Sequence, residues 1–133
     1  MSAADGLRAA ARLAAENAYA PYSKFPVGAA IRWSDGSVTT GANVENASYP
    51  LALCAERSAV VAGASAGARI LSEVAVFAAT DAPVTPCGGC RQVLQEFTAD
   101  PASVVIHLGG RDSWDTTTLA ELLPRAFGGP SRS

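Results

Sequence analysis

Apolar positions recur at helical spacing along the first stretch of the chain. Leu7, Ala10, Ala11, Leu13, Ala14 and Ala18 fall on one stripe, with Arg8, Arg12 and Glu16 off it. This predicts a helix over residues 3–19, ended by Ala20-Pro21-Tyr22-Ser23. The spacing then changes to that of strands. Residues 25–33 read as one strand, Asp35-Gly36 as a hairpin turn, and residues 38–44 as the returning strand. A second helix is expected from about Leu53 to Ala66, stopped around Gly67. Residues 74–79 are nearly all apolar, as in a strand covered on both faces. Pro86 opens a third helix that continues through Phe97. Residues 104–108 make another buried strand, residues 113–117 a short edge strand, and Leu119 to Leu123 a last helical turn or two.

The order α-β-β-α-β-α-β-(β)-α places helices on both faces of a sheet. The expected fold is one α/β domain over residues 1–133, a three-layer α/β/α arrangement. Its sheet is expected to be mixed, mostly parallel and five-stranded, preceded by a β-hairpin. The tail after about residue 128 holds Gly, Pro and Ser and is expected to be loose.

Composition narrows the partners more than the fold. With 133 residues, 49% of them hydrophobic, the chain can bury a core without disulfides. A formal charge of −2 gives no general attraction to nucleic acid or to a membrane surface. No apolar run approaches the length of a membrane span. The alanine-rich start resembles a targeting leader at first sight, but Asp5, Arg8, Arg12 and Glu16 interrupt it, and it reads as a structural helix. Three cysteines are an odd number and too sparse for a disulfide framework. They point to a reducing cytoplasm, with thiols free for metal or catalysis.

Those cysteines carry the chemistry. Taken alone, Cys87-Gly88-Gly89-Cys90 reads as half a structural zinc site, a redox dithiol or part of a catalytic site. The redox reading leaves Cys54 idle, and a structural zinc needs four protein ligands. His107, the one histidine, lies inside an apolar strand and reads as a hydrogen-bonded core residue rather than a ligand. Cys54, Cys87 and Cys90 with a vacant fourth position form the pattern of a catalytic zinc. Two helix N-termini then aim at one point and favour its negative charge. Glu56, beside the metal but not bound to it, can take a proton from water and hand it to a substrate nitrogen. Three thiolates leave the metal over-negative, so a cation should contact the sulfurs. Arg57 is the candidate, the plain alternative being an exposed helix charge.

Cys54-Ala55-Glu56 followed by Pro86-Cys87-Gly88-Gly89-Cys90 resembles the zinc-dependent nucleoside and nucleobase deaminases, a group with a three-cysteine variant. The match is nearer to the small homotetrameric cytidine deaminase family and covers nearly the whole chain. Tyr22-Ser23-Lys24-Phe25-Pro26-Val27-Gly28-Ala29-Ala30 is similar to that family's first-strand motif, and Asn43 to Pro50 to its ribose-binding motif. Cys90-Arg91-Gln92-Val93-Leu94 and the stretch from Glu121 to Gly128 are similar to its other signatures. The family's usual Phe-Gly-Pro reads Phe127-Gly128-Gly129-Pro130 here.

The resemblance implies one zinc ion per subunit and a nucleoside substrate. Asn43 and Glu45 would bind the ribose on its 3′-hydroxyl side, and Phe25 would pack against the base. The Ala55 backbone and the Glu56 carboxylate would read the pyrimidine edge. Tyr49 and Phe127 would reach a neighbouring subunit's site within a homotetramer. The implied reaction is hydrolysis of cytidine and deoxycytidine at C4 by zinc-bound hydroxide, with Glu56 as proton shuttle, in pyrimidine salvage. Rival readings are deamination of another cytosine nucleoside, a base or a polynucleotide, and a zinc-holding scaffold with no turnover. The ribose motif argues for nucleosides, and the acidic balance argues against a nucleic-acid channel.

Overall fold

The computed structural model describes residues 2–128, so the tail expected to be loose, including Gly129 and Pro130, lies outside the described residues. Helix α1 runs Ala3–Ala14 and passes into a 3-10 turn at Ala15–Asn17. It starts where the Ser2 hydroxyl accepts from the Asp5 amide and the Asp5 carboxylate accepts from the Ser2 amide. Its buried face is Leu7, Ala11 and Ala15, whereas Leu13, expected on the stripe, is exposed. At about 100° per residue Leu13 lies roughly 120° around the helix from Leu7, off the face that meets the sheet.

Five strands follow: β1 Val27–Trp33, β2 Val38–Ala42, β3 Leu71–Ala78, β4 Val105–Gly109 and β5 Trp114–Thr118. Helices α2 Ala55–Ser65, α3 Gly88–Glu96 and α4 Leu119–Leu122 complete the chain. The strands lie in the order β2-β1-β3-β4-β5. The sheet is mixed and five-stranded as expected, but it is not mostly parallel. Only β3 and β4 pair in parallel, and the other neighbours are antiparallel. The hairpin does not precede the sheet either, since β1 and β2 are two of its five strands. The connection through α2 is the reason: it carries the chain from β2 to β3 on the far side of β1. The two strands it joins run the same way with an antiparallel strand between them.

The three layers are as expected. Alternate residues of β1 split between the two faces. Ala29, Ile31 and Trp33 join a core with Val60 of α2, Leu94 of α3 and Leu119 of α4. Ala30 faces Leu7 and Ala11 of α1, together with Ala75 and Phe77. His107 lies on this α1 face, its ring held between the Arg8 Nε–H donating to Nδ1 (3.2 Å) and Glu73 Oε2 facing Nε2 (2.5 Å). It is a hydrogen-bonded core residue, on the opposite face from α2 and α3.

Two glycines let helices come down onto strands. A Cβ on Gly28 would lie 2.5 Å from the Ala15 nitrogen, and one on Gly41 would lie 2.7 Å from the Ala55 carbonyl oxygen. The second close approach sets the start of α2 against the sheet, where Cys54 stands.

Candidate metal centre and active site

Helix α2 begins at Ala55, not Leu53, because Cys54 is extended (φ −75°, ψ 157°) and caps the helix from outside it. A 3-10 turn, Tyr49–Leu51, precedes it, with Pro50 in its first positions. Val44 and Leu53 exchange backbone hydrogen bonds of 2.9 and 2.8 Å. That bridge folds the chain back on itself, so Asn43 and Glu45 return to the neighbourhood of Cys54.

Helix α3 begins in the same way. Cys87 is its extended N-cap, and its sulfur accepts from the Cys90 amide at 3.4 Å. The Cys87 and Cys90 sulfurs are 3.3 Å apart, and all three cysteine sulfurs lie within 4.8 Å of one another. All three are free thiols. Three sulfurs bound to one zinc at about 2.3 Å stand roughly 3.8 Å apart, which a cluster within 4.8 Å can accommodate. The donor set is soft and three-membered, with no histidine beside it, and so suits zinc with one position left open.

The electrostatics follow from burial and from crowding of like charge. Burial pushes the Cys90 thiol up, and the nearby Glu56 carboxylate adds to the shift. Burial also raises Cys54. For Cys87 burial again acts upward, but hydrogen bonds from the Cys90 amide, the Cys90 thiol and Cys54 bring it below its usual value. Glu56 is only 5% exposed. Its burial raises the carboxyl above the usual carboxylate range, against the pull of its own backbone hydrogen bond, Cys90 and Arg57.

Arg57 lies in the first turn of α2 and reaches toward the start of α3. The nearby sulfurs, Cys90 foremost and then Cys54 and Cys87, hold its guanidinium above its usual pKa. It passes over Gly89 so closely that a Cβ there would collide with Nη2. Its Nε–H is buried with no acceptor among the described residues. That orphaned donor faces the cost of burial unless an acceptor is supplied, and ionised sulfur is a strong one.

The remaining expected site residues fall into two adjoining hollows. Phe25, Asn43, Cys54, Ala55, Glu56 and Cys87 line a pocket of about 210 Å³, together with Val84 and Thr85. Glu45 and Tyr49 line a second one of about 340 Å³ with Tyr22 and Ser23. Asn43 holds the lip of the first. Its Oδ1 accepts from the Val27 amide at 2.8 Å and its Nδ2 donates to the Phe25 carbonyl at 2.9 Å. Tyr49 is exposed and meets Tyr22 edge to face at 6.3 Å. Phe127 is brought into neither hollow. Its side chain is 75% exposed, while Gln92 Nε2 donates to its carbonyl at 2.8 Å. Val84 and Thr85 escaped the sequence reading because nothing in Ala82-Pro83-Val84-Thr85 signals chemistry. They line the pocket because the stretch that contains them leads into Cys87.

A family profile described as the cytidine and deoxycytidylate deaminase zinc-binding region matches residues 1–108. The chain is 50% identical over 115 residues to the cytidine deaminase of Halalkalibacterium halodurans, covering 86% of each chain. It is 44% identical over 122 residues to the cytidine deaminase of Mycobacterium tuberculosis, covering 92% of this chain and 87% of that one. The crystal structure of cytidine deaminase from Burkholderia pseudomallei superposes with a TM-score of 0.88 at 44% identity, covering 96% of this chain and all of the other.

Proposed function

The chain belongs to the zinc-binding cytidine and deoxycytidylate deaminase family, and on that premise we propose that it hydrolyses cytidine and deoxycytidine at C4. The products are uridine or deoxyuridine and ammonia, and the setting is pyrimidine salvage in the cytoplasm. The observation that carries the reading is Glu56. It is a carboxyl almost withdrawn from solvent, on the same pocket wall as the thiols of Cys54 and Cys87. A scaffold that merely held a metal would gain nothing from such a group, and its burial is costly.

Cys54, Cys87 and Cys90 would hold one zinc ion per chain, which when bound supplies the Lewis acidity that turns water into a nucleophile at neutral pH. Glu56 takes the proton of the attacking water, delivers it to N3 of the pyrimidine, and then protonates the leaving amine. The Ala55 backbone meets the pyrimidine edge, and Phe25 packs on the face of the base. Asn43 and Glu45 are two apart on an extended segment and therefore share a side, which suits the sugar. Tyr49 and Phe127, exposed on the chain that carries them, complete neighbouring sites in a homotetramer.

The direct experiment follows the absorbance of cytidine with and without a chelator, with ammonia measured in parallel. Deoxycytidine, adenosine, free cytosine and single-stranded DNA complete the panel. Chelator-sensitive loss of cytidine and deoxycytidine alone is the expected result. Bound zinc with no ammonia from any of them would leave a scaffold.

Two variants test the supporting residues. Arg57→Ala should lose about 10–100-fold in zinc affinity or kcat, because the sulfurs lose the cation that offsets their charge. A dye competition for zinc and a kcat measurement read this, and unchanged values in both would reduce Arg57 to a surface charge. Phe127→Ala should raise KM for cytidine roughly threefold to tenfold, the worth of one aromatic contact, with zinc content unchanged. A fully active monomer in sedimentation would remove the neighbouring-subunit role.

A further inference from the structure

The Glu45 carboxylate is nearly used up before any ligand arrives. Its Oε1 accepts from the Tyr22 amide at 3.0 Å and from the Ser23 amide at 3.1 Å. Its Oε2 accepts from the Ser23 hydroxyl. An ionised carboxylate offers about four acceptor directions. Three are filled, so one remains, on Oε2, and the Ser23 hydroxyl decides which. Ser23 is itself held, because its Oγ accepts from the Phe25 amide at 3.1 Å. One hydroxyl thus connects the residue expected at the sugar with the residue expected on the base.

The same three bonds fix the chemistry of what is accepted. The hydrogen bonds from the Ser23 hydroxyl and amide keep Glu45 below the usual carboxylate range. A group that is anionic and acceptor-only favours a hydroxyl donor, and it repels a phosphate in the same place. Ser23, Glu45 and Tyr22 all line the 340 Å³ hollow beside the Glu56 pocket.

We propose that Ser23 is a positioning residue of the sugar subsite: it aims the single free acceptor of Glu45, so that the enzyme selects a sugar with a free 3′-hydroxyl. This rests on the reading above, in which the sugar lies against Glu45. The inference adds the Ser23 hydroxyl: without it the free acceptor of Glu45 is no longer aimed at the sugar.

The test uses zinc-loaded protein and two substrates that differ only in that hydroxyl, 2′-deoxycytidine and 2′,3′-dideoxycytidine. The wild type should prefer the first by roughly tenfold or more in kcat/KM, the scale of a charge-assisted hydrogen bond. Ser23→Ala should lose roughly tenfold on 2′-deoxycytidine, mostly in KM, and less than about twofold on the dideoxy substrate, so the preference collapses. Ser23→Thr keeps the hydroxyl and should recover most of the preference. Ser23→Cys, nearly isosteric with a weaker donor, should fall between, and it carries the test if the alanine variant does not fold. Equal losses on both substrates in Ser23→Ala or Ser23→Cys, with the preference intact, would overturn the role of Ser23. A wild type that turns over both substrates alike would instead overturn the placement of the sugar at Glu45, and the proposal with it.

Discussion

Glu56→Gln is expected to keep its zinc and its fold and to lose between about 10² and 10⁴ in kcat on cytidine. The substitution changes almost nothing in shape. Glu56 is 5% exposed in the first turn of α2, and an amide of the same length fills the same space. The metal set is untouched, because it consists of Cys54, Cys87 and Cys90. The lost capacity is to hold a proton and release it. The amide still offers N–H and C=O groups to the pyrimidine edge, so KM should move much less than kcat. Glu56→Asp separates the two requirements. It restores the titratable group but withdraws it by one methylene, and it should stay well below the wild type because proton transfer depends on reach. Zinc analysis and far-ultraviolet circular dichroism on each variant accompany the kinetics. A glutamine variant within threefold of wild-type kcat would take Glu56 out of the proton path.

The parts of this site that were legible in the sequence are those set by local rules. Cys54 and Cys87 each stand just before a helix, and a helix N-terminus can be read from its caps and prolines. Cys90 follows Cys87 by less than one turn, so the pair converges whatever the rest of the chain does. Arg57 was singled out from charge balance alone, and its guanidinium lies over Gly89, the residue before Cys90. Strand pairing is non-local and was less accessible. Alternation along β1 shows two covered faces but does not name the neighbours, and a helix after β2 suggests a parallel partner that β1 displaces. The bonds joining Ser23 to Glu45 span 22 positions, and no periodicity reports them. Phe127 was singled out through resemblance alone, and it is exposed on its own chain.

Stripping the metal should abolish deamination and lower Tm by roughly 10–20 °C, while the far-ultraviolet spectrum at room temperature stays nearly unchanged. The asymmetry comes from where the ligands are anchored. Ala59 and Val60 of α2 and Leu94 of α3 are buried in a core that also includes Ile31, Val74 and Ile106, and none of these needs the metal. The helices therefore persist without it. The coupling of their N-termini does not: it depends on Cys54 from α2 and on Cys87 and Cys90 from α3. A ligand present at about 10³ times its Kd stabilises the native state by about 4 kcal/mol. In a domain of this size each kcal/mol is worth about 3–5 °C, which gives the stated range. Cys90→Ala should reproduce both effects, because two thiols from different helices hold zinc far less firmly than three. Calorimetry of the loaded, stripped and reloaded protein, with ammonia release measured in each state, reads the stability and the chemistry separately. Recovery of both on adding zinc is the expected result. A stripped protein that keeps its Tm and its turnover would show that the three sulfurs hold no metal that matters.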